Sequence, residues 1–203
     1  MLTNQDFINI QQFNTNTQTV EILKCLFNKM TLKFSINEYM IINHQKLNHY
    51  FNQNNINSQS QKVIRGKINE CLILLYLRNQ GIKHLYPQSS LFFIPDNKFD
   101  LVLFTQKKRI MAFNFKTCLR DRYKQAMVEG QQIKKLDTRF EYYLLTNNEP
   151  ETQRLNHKIK QGKVQRINAV INLFSHSAQA FFQHLLTNTF VPFRDINLIK
   201  NKE

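Results

Sequence analysis

The chain has 203 residues, of which 42% are hydrophobic and 12% aromatic, so it can bury a substantial core and wholesale disorder is excluded. Its 28 Lys and Arg residues outnumber its 14 Asp and Glu residues. The resulting net charge of +14 favours a polyanionic partner, most often a nucleic acid, over a protein that is merely basic. No apolar run approaches the roughly 18 residues of a membrane span and no glycine-rich phosphate-binding loop is present, so we expect neither a membrane partner nor a nucleotide cradle of that kind.

The N-terminal part of the chain is rich in Asn and Gln and predicts a helical arm. Apolar side chains recur at helical spacing over residues 20–31 and again over 36–51. Residues 52–60 are almost all polar, which indicates a loop. We therefore predict a helical N-terminal arm over residues 1–60 that makes dimer or DNA-flank contacts, followed by a main domain over residues 61–203.

The main domain predicts alternating helices and strands. A helix over residues 61–80 ends at Gly81, and the segment around Pro87 is expected to form a loop. Apolar strands over 99–104 and 109–116 are separated by a polar turn, which indicates a hairpin. The remaining expected elements are helices over 119–136, 149–161 and 176–186 and strands over 141–146 and 167–174. This order is typical of an α/β fold with a central mixed sheet flanked by helices.

Polar residues interrupt the two strands of the predicted hairpin. Asp100 lies within an apolar strand, where a buried carboxylate requires a compensating cation or metal. On the next strand Asn114 and Lys116 are two residues apart and so share a face. An acid beside a lysine in this way can bind a divalent metal and orient a nucleophile at a phosphate. The alternative is that Asp100 caps a turn and Lys116 marks the end of its strand.

These residues resemble the PD-(D/E)xK nuclease core, with Asn114 in the place of the usual second carboxylate. The segment over residues 116–125, KTCLRDRYKQ, is similar to the K-T-x-x-R-[E/D]-R-[W/Y]-[R/K]-Q run of type II restriction endonucleases of the EcoRII and PspGI kind, whose sites contain CC/GG doublets. The resemblance covers roughly residues 61–175 and implies a restriction-endonuclease-like core. It also implies that Asp100 and Lys116 are catalytic residues, with Asp100 binding Mg²⁺.

In the resembled group the missing carboxylate comes from the following helix, which here implies Glu129 as a catalytic metal ligand. The spacing supports this assignment, because Arg122, Gln125 and Glu129 fall on one face of the predicted helix. Asn114, Gln125 and Lys124 are then expected to support the active site or the DNA. The alternative for Glu129 is a solvated helix residue that pairs with Gln125 or Lys124.

The resemblance assigns base recognition to the triplet Arg120, Asp121 and Arg122. Arginine forms bidentate bonds to guanine and aspartate accepts from the cytosine amino group, so the triplet suits adjacent G·C pairs. The alternative is that these charges are solvated or contact only phosphates. Glu70, on the first helix of the main domain, is implied to face the active site and support a second metal, and Gly66 is expected to let a neighbouring helix approach closely.

We therefore expect a Mg²⁺-dependent, sequence-specific double-stranded DNA endonuclease of the type II restriction class. It would act as a homodimer, alongside a DNA methyltransferase that modifies the same site. Three widely spaced cysteines and the absence of a secretion signal at the N-terminus favour a reducing cytoplasm. The resemblance implies that this is the cytoplasm of a prokaryotic cell. The alternatives are a repair or junction-resolving nuclease on the same core, and a catalytically inactive basic nucleic-acid-binding protein.

Overall fold

The computed structural model describes residues 17–26, 29–91, 94–120 and 122–193. A group of helices comes first, three consecutive strands follow, and helices then alternate with strands over the rest of the described chain. The helices are α1 (Thr17–Leu26), α2 (Ile36–Gln53), α3 (Ser58–Asn79), α4 (Arg122–Leu136), α5 (Glu149–Lys160) and α6 (His176–Leu186), with a 3₁₀ turn at Lys29–Lys33. The strands are β1 (Tyr86–Leu91), β2 (Ile94–Phe104), β3 (Ile110–Phe115), β4 (Phe140–Thr146) and β5 (Ala169–Asn172).

The strands form one five-stranded sheet in the order β1-β2-β3-β4-β5. The first three strands form an antiparallel meander, in which Leu101 of β2 pairs with Phe113 of β3. The last strands join in parallel, and Phe113 pairs on its other side with Tyr143 of β4. The hairpin and the α/β fold with a helix-flanked mixed sheet are thereby confirmed.

The two faces of the sheet carry separate hydrophobic clusters, as the alternation of side chains along a strand requires. Met111, Phe113 and Phe115 of β3 join a cluster that also includes apolar residues of α1, α2, α3 and α6. Ile110 and Ala112 point the other way, into a cluster with residues of α4 and α5. The expected boundary near residue 60 falls in the first turn of α3, and both α2 and α3 contribute to the first cluster.

The prediction of a loop around Pro87 is wrong, because this segment forms strand β1. Pro87 pairs with Leu101 in the antiparallel ladder. Proline has no N–H to donate, but β1 is an edge strand of the sheet and has one free side, where that loss is tolerated. Strand β1 was therefore missed because it contains a proline, a residue that usually disfavours strands.

The ends of the helices differ from the expected ones by a few residues. Helix α3 begins at Ser58, because the Asn57 side chain accepts a hydrogen bond of 2.9 Å from the Ser60 N–H and caps the helix. It ends before Gly81, whose φ of +90° is readily adopted only by glycine. Over the described part of the chain, no helix has both the length and the apolar character needed to cross a bilayer.

Candidate active site

Asp100 lies where strands β2 and β3 separate. The β2–β3 ladder runs as far as Leu101 and Phe113. Beyond this pair, hydrogen bonds from backbone to side chain take the place of the backbone ladder. The Asp100 N–H donates to Asn114 Oδ1 at 3.1 Å, and the Phe115 N–H donates to Asp100 Oδ2 at 2.7 Å. These bonds fix the orientation of the carboxylate, whose side chain is only 13% exposed.

Lys116 directly follows β3 and lies beside this carboxylate. Its Nζ atom is 3.7 Å from Asp100 Oδ2, and its side chain is 31% exposed. The Lys116 N–H donates to the Leu145 carbonyl at 2.8 Å, which holds the backbone against β4 at the point where the strand ends. The structure thus brings the predicted acid and lysine together at the rim of the sheet, with the lysine accessible to a ligand.

Gln88 joins Asp100 to Glu70 of helix α3. Its Nε2 atom donates to Glu70 Oε2 at 2.8 Å and to Asp100 Oδ1 at 3.1 Å. The backbone of Gln88 has a φ of +49°, a strained conformation for a residue with a Cβ. Sequence reasoning missed Gln88, because it belongs to the segment expected to be a loop and carries no charge.

The two carboxylates repel each other. Burial, together with the nearby charge of Asp100, raises the pKa of Glu70 above its ordinary value, although Lys67 and Lys116 act in the opposite direction. A cation between the carboxylates would relieve this repulsion. The two carboxylates also suit Mg²⁺, which prefers oxygen ligands and is often bound through one or two carboxylates plus substrate phosphate. Gln88 turns its amide nitrogen toward them, so in this arrangement it is a hydrogen-bond donor and not a ligand.

Glu129 occupies a separate hydrogen-bond network on the other face of the sheet. Its Oε2 atom accepts from the Tyr142 hydroxyl at 2.8 Å, and its Oε1 atom accepts from Gln125 Nε2 at 2.8 Å. Asn114 Nδ2 donates to the same Tyr142 hydroxyl at 2.7 Å. Because Asn114 also accepts from the Asp100 backbone, the network connects Glu129 to Asp100 through two intervening side chains.

The structure therefore divides the predicted acidic residues into two groups. Glu70 and Asp100 share a hydrogen-bonding partner, whereas Glu129 reaches Asp100 only through Tyr142 and Asn114. Within the described ranges, no three carboxylate, histidine or cysteine side chains come together as a metal site would require. The pairing of Glu129 with Gln125 is the contact expected of a solvated helix residue, but the bond from Tyr142 adds a second constraint.

Two clefts meet at Lys116 and Arg122, which line both of them. The larger cleft, of about 780 Å³, lies between α3 and the rim of the sheet. The smaller, of about 350 Å³, lies between α4 and the sheet. The functional side chains on the larger cleft are Lys62, Lys67 and Glu70, and those on the smaller are Asn114, Gln125, Glu129 and Tyr142.

The predicted base-reading triplet lies at the start of helix α4. Arg120 precedes the helix and Arg122 begins it, and both side chains are exposed, as is Lys124 on the first turn. Asp121 lies outside the described residues. Glu151 of α5 fixes the preceding loop, because its Oε2 atom accepts a hydrogen bond of 2.6 Å from the Leu119 N–H.

Comparison with known proteins identifies no relative: no protein-family model, no curated protein and no solved structure matches this chain. The chemistry available at the site is defined by its own residues. These are a carboxylate pair joined by an amide, an accessible lysine at 3.7 Å from one of the carboxylates, and a further carboxylate held by a buried phenol.

Proposed function

We propose that this protein is a Mg²⁺-dependent double-stranded DNA endonuclease with a restriction-endonuclease-like core. The observation that carries the proposal is the position of Lys116, whose ammonium group lies 3.7 Å from Asp100 where β2 and β3 separate. Glu70 is joined to the same carboxylate through Gln88, and two clefts rich in basic residues open beside the lysine. Paired acids next to an accessible lysine suit phosphodiester hydrolysis.

Asp100 and Glu70 would hold the metal ion in this proposal. When bound, Mg²⁺ would polarise a phosphodiester oxygen and lower the pKa of water. The Phe115 N–H orients the Asp100 carboxylate, and Gln88 holds Glu70 toward it. The Lys116 ammonium group would bind a non-bridging phosphate oxygen and offset the negative charge that develops as water attacks phosphorus in line with the leaving oxygen.

Glu129 would provide a further carboxylate on the opposite side of Lys116. It lines the smaller cleft together with Lys116, and Tyr142 and Gln125 fix both of its oxygen atoms. The resemblance of the 116–125 segment implies that this glutamate replaces the carboxylate absent at Asn114. We retain that role as part of the proposal, with Asn114 acting through its hydrogen bonds rather than as a ligand.

The start of helix α4 would read the DNA sequence. Arg120 and Arg122 are exposed, Arg122 lines both clefts, and arginine is the residue best suited to bidentate bonds with guanine. Together with Asp121 they would recognise a CC/GG-containing site. A two-fold homodimer would satisfy symmetric cleavage of both strands, and a methyltransferase would protect the same sites in the cytoplasm of a prokaryotic cell.

The separation of Glu129 from the Asp100 and Glu70 pair favours one alternative function. If the described arrangement persists with DNA bound, Glu129 does not complete a three-carboxylate site. The protein would then be a basic nucleic-acid-binding protein without nuclease activity. A repair or junction-resolving nuclease would use Asp100 and Lys116 in the same way but would not need base recognition by Arg120 and Arg122.

Incubation of the purified protein with plasmid DNA in Mg²⁺, Ca²⁺ or EDTA tests the proposal. Discrete fragments in Mg²⁺ alone support a site-specific endonuclease, and their absence with Lys116→Ala would attribute cleavage to this site. Lys107→Ala is the matched control, because this exposed lysine lies in the turn at the other end of the same hairpin. Structure-dependent nicking would indicate the repair enzyme, and gel retardation without cleavage would indicate the binding protein.

A further inference from the structure

One face of helix α3 forms a wall of the larger cleft. The residues on this wall recur every three or four positions, which places them on one side of a helix. They are Gln59, Lys62, Val63, Gly66, Lys67, Asn69 and Glu70. From residue 59 to residue 70 the helix rises by about 16 Å, the axial length of about five nucleotides of one B-form DNA strand.

Gly66 lies in the middle of this wall, where neither the backbone conformation nor packing against the described residues calls for a glycine. Glycine destabilises a helix interior relative to alanine, so its presence there needs an explanation. Its φ does not call for glycine either, since the described glycines with positive φ are Gly81 and Gly162. Among the described residues, no heavy atom lies within 4 Å of a Cβ atom built on Gly66, so none of the described helices packs closely there and that expectation is wrong.

The charges around Gly66 identify the kind of ligand that could approach it. Lys62 and Lys67 flank the glycine on α3, and Lys116 and Arg122 line the same cleft. Among the described residues that line this cleft, Glu70 is the one carboxylate, and it lies at the end of the wall that is nearest to the proposed metal site. A phosphodiester backbone would neutralise the cations along the wall, while the acid would remain beside the proposed metal ion.

We propose that Gly66 allows a nucleic acid strand to lie directly against helix α3, with Lys62 and Lys67 binding phosphates next to the one that is cleaved. This inference rests on the proposed nuclease function and specifies which surface guides the strand into the site. The missing side chain leaves room for the sugar-phosphate backbone to contact the helix. The two lysines hold phosphates on either side of that contact.

The variant Gly66→Ala separates this role from a structural one. Alanine improves helix propensity and meets no clash, so the melting temperature should rise by about 2 °C. The new methyl group should push the strand away from the lysines and weaken binding of a labelled DNA duplex by about tenfold, measured in Ca²⁺. Asn79→Ala is the matched control, because this exposed residue ends the same helix away from the cleft wall and should leave DNA affinity unchanged.

Two further measurements define the ligand. Lys62→Ala and Lys67→Ala should each reduce the magnitude of the slope of log affinity against log salt concentration by about 0.9, the value for one lost phosphate contact. Lys107→Ala should leave the slope unchanged. A mononucleotide should compete poorly with the duplex. Competition by the mononucleotide at the same concentration as the duplex would overturn the assignment of the wall to a strand.

The outcomes distinguish this inference from the proposed function. If wild-type protein binds and cleaves DNA but Gly66→Ala binds it with unchanged affinity, the role of Gly66 is wrong and the endonuclease proposal stands. A lower melting temperature for Gly66→Ala would also overturn the inference, because it would show a structural need for the glycine. If wild-type protein neither binds nor cleaves DNA, the proposed function fails and the inference fails with it.

Discussion

The hydroxyl of Tyr142 on strand β4 donates a hydrogen bond of 2.8 Å to Glu129 on helix α4. Burial, followed by the charge of Glu129, raises the pKa of Tyr142 far above its ordinary value, so the phenol remains a donor. Behind it, Asn114 donates to the same hydroxyl and accepts from the Asp100 backbone. Asn114 therefore links Asp100 to the hydroxyl that holds Glu129.

Replacing Tyr142 by phenylalanine should displace Glu129 while leaving the ring in the core. The change removes the donor to Glu129 and leaves Asn114 Nδ2 buried without its acceptor, which should cost about 1–3 kcal/mol of stability. We expect the cleavage rate to fall by about tenfold or more, with an altered dependence on Mg²⁺ concentration. Both quantities are measured by thermal unfolding and by cleavage over a Mg²⁺ titration.

Tyr143→Phe is the control for this variant. Tyr143 donates an equivalent bond of 2.9 Å to Glu141 but packs on the opposite face of the sheet, against Phe113. Loss of the hydrogen bond from Tyr143 to Glu141 should reduce stability without changing the dependence of cleavage on Mg²⁺. An equal loss of cleavage in the two variants would show that Tyr142 acts only through stability.

The two faces of β3 indicate how much of the site could be read from the sequence. The alternation of polar and apolar residues located Asp100 and Lys116 beside each other, and helical spacing placed Glu129 on the face of α4 that lines a cleft. Gln88 could not be found in this way, because its position depends on a strained backbone in an unexpected strand. Tyr142 could not be found either, because it lies in an apolar strand segment like any aromatic residue of the core. Its polar partners, Asn114 and Glu129, come from other elements of the fold.

Glu129→Gln and Asn114→Ala should affect different properties. Glutamine keeps the size of Glu129 and can still accept from Tyr142, so stability should change little, but loss of the carboxylate should lower cleavage by about 10²-fold or more. Asn114→Ala removes two buried hydrogen bonds and should lower stability by about 1–3 kcal/mol. Greater loss of cleavage in Asn114→Ala than in Glu129→Gln, compared at temperatures where both are folded, would contradict the role of Glu129.

Stability should depend on pH through Glu70. Its pKa is raised in the folded state, so the folded protein binds more protons than the unfolded chain as the pH rises above the ordinary glutamate range. The contribution of Glu70 to stability is therefore most favourable below its ordinary pKa and declines as the pH rises through the raised value. Glu70→Gln should therefore be more stable than wild type at pH 8, and the difference should vanish in acid.

The same carboxylate provides a test of metal binding that does not depend on cleavage. If Asp100 and Glu70 hold Mg²⁺ together, the ion should relieve their repulsion and raise the melting temperature of wild-type protein at pH 8. The increase should be much smaller in Glu70→Gln. An identical increase in both proteins would place the metal elsewhere, and no increase at millimolar Mg²⁺ would show that this pair does not bind it without DNA.

Arg122 and Lys124 should contribute to DNA binding in different ways. Both side chains are exposed on the first turn of α4, but Arg122 lines the two clefts that meet at Lys116. Lys124→Ala should weaken binding to all DNA and reduce the salt slope by about one phosphate contact. Arg122→Ala or Arg120→Ala should instead cost about 1–3 kcal/mol for each lost bidentate bond to guanine, mainly on the cleaved sequence.

Competition binding in Ca²⁺ separates these effects. Sequencing the ends of digested DNA defines the site, and the competitors are that site and a copy with one G·C pair of the doublet replaced. Arg122→Ala should reduce the preference for the correct site, whereas Lys124→Ala should retain the preference at lower affinity, because phosphate contacts position the protein but carry no sequence information directly. Equal weakening on both DNAs by Arg122→Ala would show that the start of α4 binds phosphate alone, and sequence-specific cleavage would then need another reader.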